Sequence, residues 1–150
     1  MDMTQTSSDA IRQILGSVRT IAVVGASPNP ARDSHIVAAF LAARGYRVFP
    51  VNPGHGGKEI AGLMTYGSLA EVPEPIDMVD VFRACEHVAG VLDEALALAT
   101  PPKVFWTQLG VRDDASAARA EAAGLQVVQD RCPKIDMMEL GLPARAGGAG

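Results

Sequence analysis

The sequence has 150 residues, 48% hydrophobic and 20% charged, the size and balance of one globular domain. A net charge of −4 argues against a broad nucleic-acid-binding face, and two cysteines supply neither a disulfide framework nor a zinc-ligand spacing. No apolar run reaches the ~18 residues of a membrane span, and Met1–Ser8 lacks the basic and apolar regions of a signal peptide, so a cytoplasmic, non-membrane protein is expected.

Residues 1–8 and 143–150 have little to bury and are expected to be disordered, leaving one domain over 9–142. Asp9 is placed to cap a helix carrying Ile11, Ile14, Leu15 and Val18 at helical spacing. Thr20–Val24 is a β-branched apolar run of the kind buried on both faces of a sheet. The loop over 25–33 follows, and Ser34 is placed to cap a helix over 35–44 that buries Ile36, Val37, Phe40 and Leu41 and ends at Gly45. Arg47–Val51 reads as a strand whose Pro50 predicts an irregular end. A Gly-rich loop over 52–57 leads to a short extended piece over 60–66 and a single turn from Ser68 to Val72. Residues 77–82 form the next strand, with Asp77 and Asp80 on opposite faces and Asp77 ending in solvent. Helices are predicted over 86–99, 115–123 and from Pro133 to about Leu140, and strands over 103–108 and 125–128.

Strands that alternate with helices imply right-handed crossovers and a parallel sheet, and continuous apolar strands imply helices on both faces. The expected fold is therefore α/β: a Rossmann-like, doubly wound, mainly parallel sheet. Ligands of such sheets bind beyond the carboxyl ends of the strands. Those loops carry Arg32, Lys58, Arg83, Arg112 and Arg131 in turn, beside Gly25, Gly54, Gly56, Gly57 and Gly110. Any one of these cations reads best as a solvated surface charge; the set, with glycines and helix N-termini, reads as a polyphosphate site.

The first loop, Gly25-Ala26-Ser27-Pro28-Asn29-Pro30, keeps one glycine of the G-x-G-x-x-G fingerprint, with Ser27 and Pro30 in the other glycine places. Ser27 adds a hydroxyl for a phosphate oxygen, while Pro30 would hinder close helix–strand packing; a rigid turn is the plainer reading. The second strand ends in Asn52-Pro53, without the acid that holds an NAD ribose, which disfavours NAD and leaves NADP open through Lys58. His55 lies in the Gly-rich loop within reach of a ligand, and His87 reads as surface. No nucleophile elbow, P-loop, metal cluster or paired catalytic carboxylates are present, so no catalytic or metal residue is assigned. Cys85 reads as a small buried residue; Cys132, between Arg131 and the helix opened by Pro133, is equally a candidate reactive thiol or a structural one.

The segments IAVVGASPNP (21–30), VNPGHGGKEIAGLMTYGSLAEVPEPIDMVDVFR (51–83), FWTQLGV (105–111) and DRCP (130–133) carry a resemblance. In their order and spacing, over residues 10–142, the chain resembles the small single-domain bacterial CoA-binding proteins. These are relatives of the N-terminal CoA-binding domain of succinyl-CoA synthetase alpha subunits. The resemblance implies coenzyme A lying across the strand ends. Its phosphates would meet Gly25, Ala26, Ser27 and Pro30, its adenosine Asn52 and Pro53, and Phe82, Arg83, Gln108, Gly110, Arg131 and Cys132 would line the rest. In the synthetases the second loop resembles P-G-K-G-G; here His55 stands at the lysine place, with Lys58 close behind. The phosphorylated histidine and nucleotide-grasp partner of the synthetases lie in other domains, so their activity is not carried over. The expected function is CoA or acyl-CoA binding without independent catalysis; the alternative is an NADP-dependent oxidoreductase or a CoA–thiol redox protein using Cys132.

Overall fold

The computed structural model describes residues 6–144. Five strands, β1 (Thr20–Val24), β2 (Arg47–Val51), β5 (Met78–Val81), β6 (Val104–Thr107) and β7 (Gln126–Val128), form a wholly parallel sheet in the order β2-β1-β5-β6-β7. A small antiparallel ribbon, β3 (Glu59–Ile60) and β4 (Leu63–Met64), stands apart. The helices are α1 (Ser8–Ser17), α2 (Asp33–Ala43), α3 (Val88–Leu96), α4 (Asp114–Ala122) and α5 (Pro133–Glu139).

Strand alternation builds two cores. Ile21, Val23, Met78, Val104 and Trp106 pack with side chains of α1, α2 and α5 on one face. Ala22, Val24, Val79, Val81 and Phe105 pack with α3 and α4 on the other. The sheet is doubly wound, as the apolar strands predict.

Local differences have local causes. Ser7, not Asp9, caps α1, its hydroxyl accepting from the Ala10 N–H at 3.2 Å. Arg32, not Ser34, is the N-cap of α2; Ser34 lies inside the first turn, buried. Ile36 is 37% exposed where burial was expected, because the buried face of α2 is set by Val37, Ala38 and Leu41. The helix expected over 86–99 is a 3₁₀ turn, Cys85–His87, followed by α3, which ends at Leu96 ahead of Pro101-Pro102. Pro50 does not disturb β2. Its carbonyl accepts from Tyr66 N–H on the outer edge, so its missing N–H also faces outward and costs the β1–β2 ladder nothing. Asp77 does not end in solvent: its carboxylate accepts from the N–H groups of Arg19 and Thr20, at 2.8 and 3.4 Å.

Asp80 occupies the middle strand between Val23 and Trp106. It is fully buried, and neither carboxylate oxygen has a hydrogen-bond partner among the described residues. Burial alone pushes its carboxyl well above the usual carboxylate range, so it is held neutral. The unfolded chain releases this proton near the ordinary value of 3.8 while the folded chain keeps it. Stability from this group is therefore full below that pH and declines above it, by about 1.4 kcal/mol per pH unit until the folded carboxyl ionises. Urea titrations across this range should show the decline in the wild type and lose that part of the slope in Asp80→Asn.

Candidate functional site

The strand order reverses at β1: the chain leaves it for β2 on one side and returns to β5 on the other. Doubly wound sheets open a crevice at such a reversal, beyond the strand ends. A cavity of about 870 Å³ lies there, walled by the loops after β1, β2 and β5 and by the start of α2.

Backbone hydrogen bonds close these walls together. Gly25 N–H donates to Val51 O at 2.9 Å, and Phe82 N–H donates to Val24 O at 2.8 Å. Gly25 has φ of +89°, and a Cβ there would stand 2.9 Å from Phe82 O and 3.0 Å from Arg83 Cδ. Only glycine meets both conditions. Asn52 completes the tie, its Nδ2 donating to Ala26 O at 2.8 Å while its Oδ1 accepts from Gly54 N–H at 2.9 Å. An aspartate would set a carboxylate against the Ala26 carbonyl, so the asparagine is required by the fold of the two loops. The first loop is held from within: Ser34 Oγ accepts from Ser27 N–H, Ser27 Oγ from Asn29 N–H, and Asn29 Oδ1 from Ala31 N–H.

Of the residues expected at the site, the structure gathers Gly25, Ala26, Ser27, Asn52, Pro53, Phe82 and Arg83 around the cavity. Arg32, Asp33, Ser34 and His55 join them. Neither Arg32 nor Arg83 is in an ion pair among the described residues. Both guanidinium groups, the α2 N-terminus and the Ser27 hydroxyl are thus available to an anion, against the single opposing charge of Asp33. His55 Nδ1 is buried without a partner among the described residues, a polar atom left for a ligand to satisfy.

Other expected residues lie outside this wall. Pro30 is exposed in the loop, three residues before α2, so it never occupies the helix–strand contact that a third fingerprint glycine serves. Lys58 is exposed beyond His55, whose carbonyl its N–H meets at 3.1 Å. Gln108 is buried beside the end of β5, its N–H donating to Val81 O at 3.1 Å. Gly110 turns the β6–α4 loop and donates its N–H to Asp130 Oδ1 at 2.6 Å. Arg112 pairs with Asp114 at 3.0 Å. Arg131 is engaged within its own turn, donating to both oxygens of buried Asp136 at 2.9 and 2.7 Å, hydrogen bonds that raise its pKa further. Cys85 departs from its expected burial, while Cys132, open between a reactive and a structural reading, takes the structural one. Cys132 is buried at the N-cap of α5, and Cys85 is exposed. The electropositive setting read for Cys132 is cancelled, since Arg131 is turned onto Asp136.

Among the described residues no group of His, Cys, Asp or Glu forms a metal site, and no helix is long and apolar enough to cross a membrane. Fold and site together define a doubly wound α/β domain with an anion-suited crevice at its strand reversal. Residues 19–138 match the family model described as a CoA binding domain, and the chain belongs to that family. It is 38% identical over 133 residues to the uncharacterized protein YneT of Bacillus subtilis, covering 89% of this chain and 96% of that one. A solved structure from Thermus thermophilus superposes with a TM-score of 0.83 at 38% identity, covering 90% of this chain and 99% of the other. The alpha subunit of an ADP-forming acetate–CoA ligase from Pyrococcus furiosus is 31% identical over 86 residues, which are 55% of this chain and 19% of the ligase subunit.

Two outcomes follow from this geometry. Gly25→Ala should cost more than about 1 kcal/mol, because the left-handed backbone and the Phe82 carbonyl both oppose a methyl group; a lowered Tm checks it. An alkylating reagent should label Cys85 well before Cys132 in the native protein, read by peptide mass spectrometry.

Proposed function

We propose that the protein binds coenzyme A or an acyl-CoA, with the phosphates at the α2 N-terminus and the Gly25–Ser27 loop. The carrying observation is the pair of arginines, Arg32 and Arg83, facing one cavity with no ion-pair partner among the described residues, in a protein of net charge −4. Membership of the CoA-binding family supports the same ligand.

The residues present fit that group. Backbone N–H groups and the helix end suit a pyrophosphate. Asn52 and Pro53 border the crevice on its β2 side, where the adenosine would lie, and no acid stands at Asn52 to repel a phosphorylated ribose. His55 and, beyond the wall, Lys58 supply polar and cationic groups on that side. The protein itself would bind and orient the ligand. The NADP-dependent oxidoreductase alternative draws nothing from the family match, and burial of Cys132 counts against the CoA–thiol redox alternative that used it.

CoA should raise the Tm by mass action, dephospho-CoA should raise it less, and NAD at the same concentration should leave it nearly unchanged. Arg83→Ala should weaken CoA binding about tenfold or more, since a charge-assisted bond to phosphate contributes roughly 1.5–3 kcal/mol. Calorimetric titration checks the affinity. Stabilisation by NAD equal to that by CoA would overturn the reading.

A further inference from the structure

His55 belongs to the cavity wall itself, and the turn that carries it is fixed. Its N–H donates to Asn52 O at 3.0 Å, and its carbonyl accepts from Lys58 N–H at 3.1 Å. Asn52 fastens the same turn to Ala26 O. Behind the turn, Gly57 N–H donates to Thr65 O at 2.9 Å, and a Cβ on Gly56 would stand 3.2 Å from Gly67 N. The ring therefore stands in the wall before any ligand binds. It is half-buried, and its Nδ1 is covered without a hydrogen-bond partner among the described residues. A charged ring in the free protein would bury an Nδ1–H with no acceptor, a cost that an anion at the open side of the ring offsets.

The strand order β2-β1-β5 puts His55 on one flank of the Gly25–Ser27 loop and Arg83 on the other. A ligand with its pyrophosphate at the α2 N-terminus and the arginines would thus meet His55 with an anionic group on its β2 side. The charged and titratable groups around the ring are Arg32 and Asp33 on α2, Arg83 after β5, Lys58 and Glu59 after it in the chain, and Tyr66 and Glu71 behind. Ser68 Oγ engages the Glu71 carboxylate at 3.0 Å, which leaves Asp33 as the carboxylate in the wall. As classes, arginine, lysine, tyrosine and carboxylate side chains keep their charge near neutral pH, and imidazole does not. We propose that His55 selects the phosphorylated ribose of a CoA-class ligand by taking up a proton as the ligand binds, so that the selection strengthens as pH falls. This rests on the CoA reading above. The sign follows from linkage: a phosphate favours the charged ring, the complex holds more protons than its separate parts, and affinity falls as pH rises.

The test is calorimetric titration of the intact protein with CoA and with dephospho-CoA, which lacks the ribose phosphate, between about pH 6.5 and about pH 8. The ratio of the two affinities should fall about fivefold or more across that range in the wild type, and the fall should vanish in His55→Gln. The second ionisation of a phosphate monoester, at about pH 6, makes the ligand more anionic as pH rises and so opposes such a fall. His55→Lys, with a fixed charge, should hold a high ratio throughout. In buffers of different ionisation enthalpy, CoA should bind the wild type with uptake of part of a proton that dephospho-CoA does not take up, a readout that needs no variant. A wild-type ratio that does not fall with pH, or a fall that persists in a folded His55→Gln, would overturn the proposal and leave the CoA reading standing. Absence of binding by either ligand at every pH would overturn both.

Discussion

The tie between the carboxyl ends of β1, β2 and β5 is the constraint on which the rest of the molecule depends. Gly25 N–H to Val51 O and Phe82 N–H to Val24 O extend the two ladders of β1 by one step past its end. The chain then turns away at a positive φ, so near the Phe82 carbonyl that a Cβ on Gly25 would stand 2.9 Å from its oxygen. That close approach brings the β5 loop, and Arg83 with it, to the same crevice as the start of α2. Asn52 reaches across from β2 and fastens the opposite wall to Ala26 O. The crevice is therefore shaped by backbone hydrogen bonds and one amide side chain, and its walls are set before any ligand arrives.

Charge is distributed unevenly over that frame. The cations at the far strand ends are spent on neighbouring carboxylates, Arg112 on Asp114 and Arg131 on Asp136. Arg131–Asp136 also serves the sheet, since the Arg131 carbonyl accepts from Trp106 Nε1–H at 2.8 Å. Those pairs hold the β6 and β7 loops in shape. Arg32 and Arg83 have no such duty and face the cavity, so the positive potential concentrates at the reversal point rather than along the whole edge. The same division explains the two thiols. Cys132 is covered by the packing that closes α5 onto the sheet, and Cys85 sits on a loop that packing leaves open.

The core carries one unfavourable element. Asp80 places an acid with two unpartnered oxygens on the central β5, between Val23 and Trp106 and two residues before Phe82. In a low-dielectric interior it persists as the neutral acid, and its desolvation opposes stability as pH rises. Apolar contacts on both faces of the sheet outweigh it: α1, α2 and α5 on one side, α3 and α4 on the other.

The strands and their two-sided burial were legible in the sequence, because continuous β-branched runs between helical stripes have few other ways to hide from water. The first wall of the site was legible too, since Gly25, Asn52 and Arg83 lie at strand ends and strand ends are where such sheets bind. Pairing was not legible. The five strand-end cations look alike in sequence, and only the folded loops that set Asp114 against Arg112 and Asp136 against Arg131 distinguish a structural arginine from one facing the crevice. Ser34 read as a helix cap, yet it serves instead as acceptor for Ser27 N–H, because the loop before α2 ends at Arg32. Exposure of Cys85 and burial of Cys132 likewise depended on which loop α5 covers. Sequence by itself determined the periodicity of elements and so the layers they must form; tertiary structure decided which side chains neutralise one another, because that depends on distances across loops that no local pattern encodes.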